Sequence, residues 1–281
     1  MFKTATIFIK PEADEIEAVA ADVATLLSEQ GAQVLCCSDT AIKGTQAVTE
    51  DNIPYKNNLA VVLGGDGTLL ITARKLYNNS SPILGLNLGH RGFLTEMDII
   101  NVRQHIQAAF AGNLTIEERP YFLATLTRGT KNILKGEPFI NDTVIQRDAA
   151  EKMLHFSVTV GEQFMTANRA DGIIVSTPTG STAYNLSTGG PILHPAVSGL
   201  VLSPICPHTL SYSPVVIPST TVDITLDSEY GHLSLDGGRP QNLKKGDRLN
   251  ITQSENTFRL LHNPKRNFFD LLRTKLGWDK G

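Results

Sequence analysis

The sequence predicts an α/β domain with a parallel sheet, followed by an all-β, sandwich-like domain. A C-terminal helix is expected to pack back on the first domain. Three observations carry this reading. Strand-like and helix-like stretches alternate from Thr4 to Asn87. Short alternating strands separated by turn signals take over beyond Asn101, and helical spacing returns over residues 268–276. The boundaries read from these changes are 1–100, 101–262 and 263–281.

Each element has its local reason. Thr4 to Ile9 reads as a buried strand, and Ala13 to Gln30 carries Ala, Glu, Leu and Val at helical spacing, with Gly31 at the C-cap position. Gln33 to Cys37 is a second strand. Leu59-Ala60-Val61-Val62-Leu63 is a third, apolar throughout as a strand covered on both faces should be. A glycine turn, a helix from about Thr68 to Tyr77 and a strand from Pro82 to Asn87 follow. A helix over Val102 to Ala111 leads to Glu117-Glu118-Arg119-Pro120. Strands are then expected at Tyr121–Thr127, Phe139–Gln146, Leu154–Val160, Gly172–Ser176, Val222–Leu226 and Leu249–Thr252. Val160-Gly161-Glu162 and Leu235-Asp236-Gly237-Gly238 mark turns between them.

Composition narrows the class. The 281 residues suffice for one large domain or two ordinary ones, and 41% hydrophobic with 19% charged is a globular balance. Basic and acidic counts of 25 and 28 leave a net −3, which offers no general attraction to nucleic acid or an anionic membrane. The apolar run at the N-terminus meets Lys10, Pro11 and Glu12 too soon for a signal-peptide core. No apolar stretch approaches the ~20 residues that span a bilayer. Three cysteines, two of them the adjacent Cys36 and Cys37, suggest no disulfide framework. The expected location is the cytoplasm.

The most informative stretch is Val61-Val62-Leu63-Gly64-Gly65-Asp66-Gly67-Thr68-Leu69-Leu70, a buried strand that runs through glycines into a helix. Ligands of open α/β sheets collect at the carboxyl ends of strands. Glycines admit a phosphate close to the backbone, and a helix N-terminus presents unpaired N–H groups to it. Gly64, Gly65, Gly67 and Thr68 are therefore a candidate phosphate loop, and Asp66 a candidate base or metal-holding carboxylate. The same residues would equally serve as a tight turn with Asp66 as N-cap. Neither the P-loop ending Gly-Lys-Ser/Thr nor the G-x-G-x-x-G fingerprint is present, since Leu70 stands where a third glycine would.

A second run, Arg169-Ala170-Asp171-Gly172-Ile173-Ile174-Val175-Ser176-Thr177-Pro178-Thr179-Gly180-Ser181-Thr182-Ala183-Tyr184-Asn185-Leu186-Ser187, ends a strand in a loop dense with hydroxyls before a short helix. Such a loop is a polar, uncharged cradle for ribose, adenine edges or phosphate, or simply a capped helix after a Ser/Thr turn. Ser181 lacks the G-x-S-x-G elbow of a serine hydrolase. None of the seven histidines has metal-ligand spacing.

Gly-Gly-Asp-Gly-Thr after a buried strand resembles the nucleotide-site loop of NAD kinases, of diacylglycerol and sphingosine kinases and, more distantly, of phosphofructokinases. The run from Arg169 to Pro191, continued through Ser203-Pro204-Ile205-Cys206-Pro207-His208-Thr209-Leu210, is similar to the signature region of bacterial NAD kinases. Phe139-Ile140-Asn141-Asp142-Thr143-Val144-Ile145 resembles the Asn-Glu motif of that family, with Asp142 one methylene shorter than the usual Glu. The resemblance extends from Val61 to Arg266.

It implies transfer of the γ-phosphoryl of ATP to the 2′-hydroxyl of the adenosine ribose of NAD, with Mg²⁺ or another divalent cation carried by the phosphates. No metal ligand from the protein is implied. Domain 1–100 becomes the nucleotide-binding part and 101–262 the NAD-binding and oligomerisation part. Asp66 would be the base at the ribose, beside Gly67. Asn141 would bond the adenine side and Asp142 the ribose hydroxyls. Thr182, Ala183 and Tyr184 would line the adenine and ribose pocket, with Asn185, Leu186 and Ser187 just behind. Asp171 would face the nicotinamide end. Lys152 and Arg169 stand where the family places basic residues near the dinucleotide phosphates, although either would equally be an ordinary surface charge. Gln241 would add a polar contact from the late β domain. The expected partners are NAD and ATP, without nucleic acid or membrane, in a homodimer or homotetramer. A lipid kinase and a non-catalytic NAD(P) sensor are the competing readings, and the carboxylate of Asp66 speaks against the sensor.

Overall fold

Residues 2–9, 16–38, 41–89, 92–148 and 152–278 are described by a computed structural model. The chain forms two compact units, one of residues 1–119 with 256–281 and one of 120–255.

In the first unit the apolar strands Thr4–Ile9 and Asn58–Leu63 pair in parallel over six residues. Covered on both faces, Asn58–Leu63 is buried at every position; Leu59–Leu63 is apolar throughout, and Asn58 is satisfied by the Thr6 and Ser81 hydroxyls. The sheet runs Gln46–Ala47, Gln33–Cys36, Thr4–Ile9, Asn58–Leu63, Ile83–Asn87, Met97–Asp98, all parallel. The helix Ile16–Glu29 buries Ile16, Ala20, Val23, Ala24 and Leu27 in a core shared with Ala5, Ile7, Val61 and Leu84. The 3–4 spacing of those positions is one helical face. Ile106 and Ala109 of the helix Val102–Phe110 join the same core. The segment 256–281 belongs to this unit. Its helix Phe268–Leu276 starts on Asn267, whose side chain accepts from the Phe269 amide, and stops at Gly277.

The second unit is antiparallel. Gln163–Ser176 is long enough to change partners along its length. Its first half pairs with Leu154–Val160, which continues to Val222–Leu226 and Arg248–His262. Its second half lies between Asp142–Gln146 and Gly199–Pro207, flanked by Tyr230–Leu235, Gln241–Lys244 and Val215–Pro218. Phe122, Phe139, Phe156, Ile173, Val175 and Leu202 fill one apolar core, the layered arrangement of a sandwich.

The structure departs from the sequence pattern at several elements. Phe139–Gln146 is not one strand but the ends of two, Lys131–Phe139 and Asp142–Gln146. Ile140 and Asn141 leave the ladder because their amides donate to the carboxylate of Asp236 instead. Glu117 to Pro120, expected as a connection, lies inside the strand Thr115–Arg128. The helix expected from Thr68 begins at Asp66. The helix expected from Ser181 is a 3₁₀ turn, Gly180–Thr182, then one turn, Tyr184–Ser187. Gly199–Pro207 escapes the pattern because Pro204 interrupts it, and Val215–Pro218 because it is short and bounded by Pro214 and Pro218. Residues 13–15 of the expected first helix lie outside the described residues.

Candidate active site

Asp66 is the first residue of the helix Asp66–Lys75, and its N-cap is Gly65, with no side-chain cap bond. The plain capping alternative therefore falls away. The carboxylate instead receives four donors from a turn 27 to 29 residues further on: the Phe93 amide to Oδ2 at 2.7 Å, and the Leu94 amide, the Thr95 amide and the Thr95 hydroxyl to Oδ1 at 3.1, 2.9 and 2.9 Å. Hydrogen bonds to a charged acceptor contribute ~1.5–3 kcal/mol each, and four of them fix the carboxylate in one orientation. The loading is unequal. Oδ1 takes three donors and Oδ2 one, so Oδ2 keeps acceptor capacity for a further partner. Gly92 is required here, since a Cβ at that position would sit 1.8 Å from Oδ1.

Behind this turn lies a buried ion cluster. Arg266 donates to the Phe93 carbonyl at 2.9 Å and to Glu117 at 2.8 Å, and pairs with Glu96 at 3.0 Å. Glu117 also holds the buried Arg119, at 3.1 Å. Burial by itself would raise the Glu117 carboxyl, but Arg119, Arg266 and His262 together hold it below its ordinary value. The Arg119 guanidinium is lowered by its burial, against which Glu117 and the nearby charge of Asp66 act.

In the second unit Asn141, Asp142, Ala183, Tyr184, Asp236, Gly237 and Gly238 line a pocket of about 490 Å³, within the ~300–1,000 Å³ of small-molecule sites. Three consecutive amides, of Ile140, Asn141 and Asp142, converge on the Asp236 carboxylate at 3.0, 2.6 and 3.2 Å. Asp236 holds φ at +49° to do so. From the other side Thr177 donates its hydroxyl to the Ile140 carbonyl at 2.5 Å and its amide to the Asn141 carbonyl at 2.9 Å. Gly180 lets this backbone approach, because a Cβ there would meet the Asn141 carbonyl at 2.0 Å. Pinned in this way, Asn141 leaves its buried Oδ1 without a hydrogen-bond partner. A buried unpaired acceptor on a pocket wall calls for a donor from a ligand. Asp142 is only 4% exposed, and burial first, then the neighbouring Asp236 charge, pushes its carboxyl up to about 7.

The two ATP-NAD kinase family models, for the N-terminal and C-terminal domains, match residues 6–114 and 140–263. The chain belongs to the ATP-NAD kinase family. It is 38% identical over 280 residues to the NAD kinase of Geobacter metallireducens, covering 98% of this chain and 99% of that one. It is 39% identical to the NAD kinase of Ralstonia nicotianae over 284 residues, 99% of this chain and 93% of that one. Its fold matches yeast NADH kinase in complex with NADH at a TM-score of 0.91, with 24% identity over 100% of this chain and 89% of that one. An Archaeoglobus fulgidus NAD kinase in complex with ATP matches at 0.78, with 23% identity over 96% and 97%. The chain is a phosphotransferase that phosphorylates NAD with ATP as donor.

Of the residues that the sequence singles out, the pocket gathers Asn141, Asp142, Ala183 and Tyr184. Thr182 stands in the preceding turn, and Leu186 and Ser187 in the one that follows. Asn185 is fully buried; its amide bonds the carbonyls of Ser181 and Pro191 and accepts from the Ser203 hydroxyl. It shapes the loop from behind. Asp171 pairs with Arg147 at 2.7 Å. Lys152 and Arg169 are exposed. The Gln241 amide turns to the Asn242 carbonyl. Sequence reasoning misses Asp236, Gly92 and the Phe93–Thr95 amides. The one signal lies in Leu235-Asp236-Gly237-Gly238, which reads as a turn: an acidic residue in such a turn has a carboxylate to aim at backbone amides.

Proposed function

We propose that Asp66 is the general base of NAD phosphorylation. It accepts the proton of the adenosine 2′-hydroxyl through Oδ2 as that oxygen attacks the γ-phosphorus of ATP, the bond to the β,γ-bridging oxygen breaks, and ADP leaves. The observation that carries this reading is the carboxylate fixed by four donors with one oxygen left lightly loaded. Asn141 accepts from the adenine amino group through its unpartnered Oδ1, Asp142 takes the ribose hydroxyls, and Ala183 and Tyr184 pack against the nucleoside. Gly64, Gly65, Gly67 and Thr68 face phosphate at the helix N-terminus. Asp171 meets the nicotinamide end, Lys152 and Arg169 the dinucleotide phosphates, and Gln241, Thr182, Leu186 and Ser187 complete the surroundings.

Mg²⁺ belongs to the triphosphate in this scheme. Among the described residues no group of three or more His, Cys, Asp or Glu side chains is placed to hold a cation. When bound it offsets charge on the transferring group. The enzyme is taken to work in the cytoplasm as a homodimer or homotetramer; no helix among the described residues is long and apolar enough to cross a membrane.

Asp66→Asn keeps the shape and removes the base. NADP formation from NAD, ATP and Mg²⁺ should fall ~10²–10⁴-fold in kcat. Unchanged turnover would return Asp66 to a structural role.

A further inference from the structure

We propose that Arg266 is a positioning residue for phosphoryl transfer, acting on Asp66 through the backbone of Phe93 to Glu96. The proposal rests on the reading of Asp66 as the base. Arg266 lies 173 residues from Phe93 in sequence and donates to its carbonyl at 2.9 Å. Its Nε pairs with Glu96 at 3.0 Å. The guanidinium thus donates to the backbone at one end of the segment Phe93–Glu96 and ion-pairs, without a hydrogen bond from Nε, with the side chain at the other. The amides of Leu94 and Thr95 lie between those two contacts and that of Phe93 just before them, and these three amides hold Asp66.

The third arm of Arg266 donates to Glu117 at 2.8 Å, which anchors the guanidinium against the strand Thr115–Arg128. The side chain is only 8% exposed, so solvent screens these contacts little. A lysine at this position supplies charge but not a fork of fixed N–H directions. It can pair with one or two of the three partners and leaves the Phe93 peptide free to tilt. A tilt there moves the donors of a carboxylate that must meet a hydroxyl within a few tenths of an ångström.

The test is a double-substitution cycle on the full-length enzyme, with steady-state NADP formation as the readout. Arg266→Lys is expected to lower kcat ~10–100-fold while KM for NAD moves less than about threefold. In the Asp66→Asn background the same Arg266→Lys change should alter kcat less than about twofold, because the group it positions has lost its function. A merely structural Arg266 would lose the same factor in both backgrounds, and that outcome overturns the proposal. So does wild-type kcat in Arg266→Lys. If Asp66→Asn alone keeps full turnover, the base assignment fails instead, which separates the two readings. Should Arg266→Lys fail to fold, Arg266→Gln combined with Glu96→Gln removes the charges in a pair. That double variant should again lose kcat only where Asp66 is present, and an equal loss in both backgrounds overturns the proposal in the same way.

Discussion

Asp142 is the residue whose chemistry depends most on its neighbours. Burial and the charge of Asp236 raise its carboxyl from 3.8 to about 7, so it changes charge near neutrality. A carboxylate accepts ribose hydroxyls better than a carboxylic acid does. KM for NAD should therefore fall severalfold as pH rises from 6 to 8, and Asp142→Asn should flatten that profile. The stability effect has the opposite sense. A folded-state pKa above the unfolded one favours the fold fully below 3.8, and that contribution is lost as pH rises through about 7. Asp142→Asn should accordingly raise Tm more at pH 8 than at pH 5; an equal rise at both values would rule out titration as the cause. At this scale the sequence reveals the residues proposed to touch NAD, because Asp66, Asn141 and Tyr184 sit in dense local motifs. It hides the residues that hold them. Asp236 reaches Ile140 across 96 positions, and no periodicity records such a pairing.

Among the elements, the turn Gly92–Thr95 is the least forgiving. Gly92 abuts Asp66 at a distance no Cβ tolerates, so Gly92→Ala must displace either the turn or the carboxylate. We expect at least a tenfold loss of kcat with a smaller change in KM, measured in the same NADP assay; equal loss in both would mean that the pocket itself had shifted. The elements of the first unit are legible in sequence because each is local: Leu59–Leu63 is a continuous apolar run, Thr4–Ile9 is rich in β-branched and apolar residues, and Ile16–Glu29 carries a helical stripe. The break between Phe139 and Asp142 is not. It is caused by a carboxylate from another hairpin, and residues 139–146 alternate well enough to read as one strand.

For the molecule as a whole, the buried charges set the response to acid. Glu117 is destabilised by its own burial, yet Arg119, Arg266 and His262 hold it below its ordinary 4.5. Burial opposes the charge of Asp247 too, and Arg128 with the Lys244 amide lowers its carboxyl all the same. A depressed carboxylate contributes stability that is complete above its unfolded value and disappears as pH falls through the folded one. Stability should drop steeply below about pH 4.5. Urea unfolding followed between pH 3 and 6 should show a shallower slope for Glu117→Gln, and an unchanged slope would remove Glu117 from the account. The division into an α/β and an all-β unit follows from the change of hydrophobic period. The pairing order of the antiparallel strands does not, because it is fixed by contacts between distant segments.

The grip on Asp66 also shapes how this chain can vary over generations. Three of its four donors are main-chain amides, and every amino acid except proline brings the same N–H. Drift at Phe93, whose side chain is only partly buried, can explore size and polarity without unfastening the carboxylate. The fourth donor is the Thr95 hydroxyl, which serine alone could reproduce among small residues. Heritable change is thus channelled: free at Phe93, narrow at Thr95, and closed at Gly92.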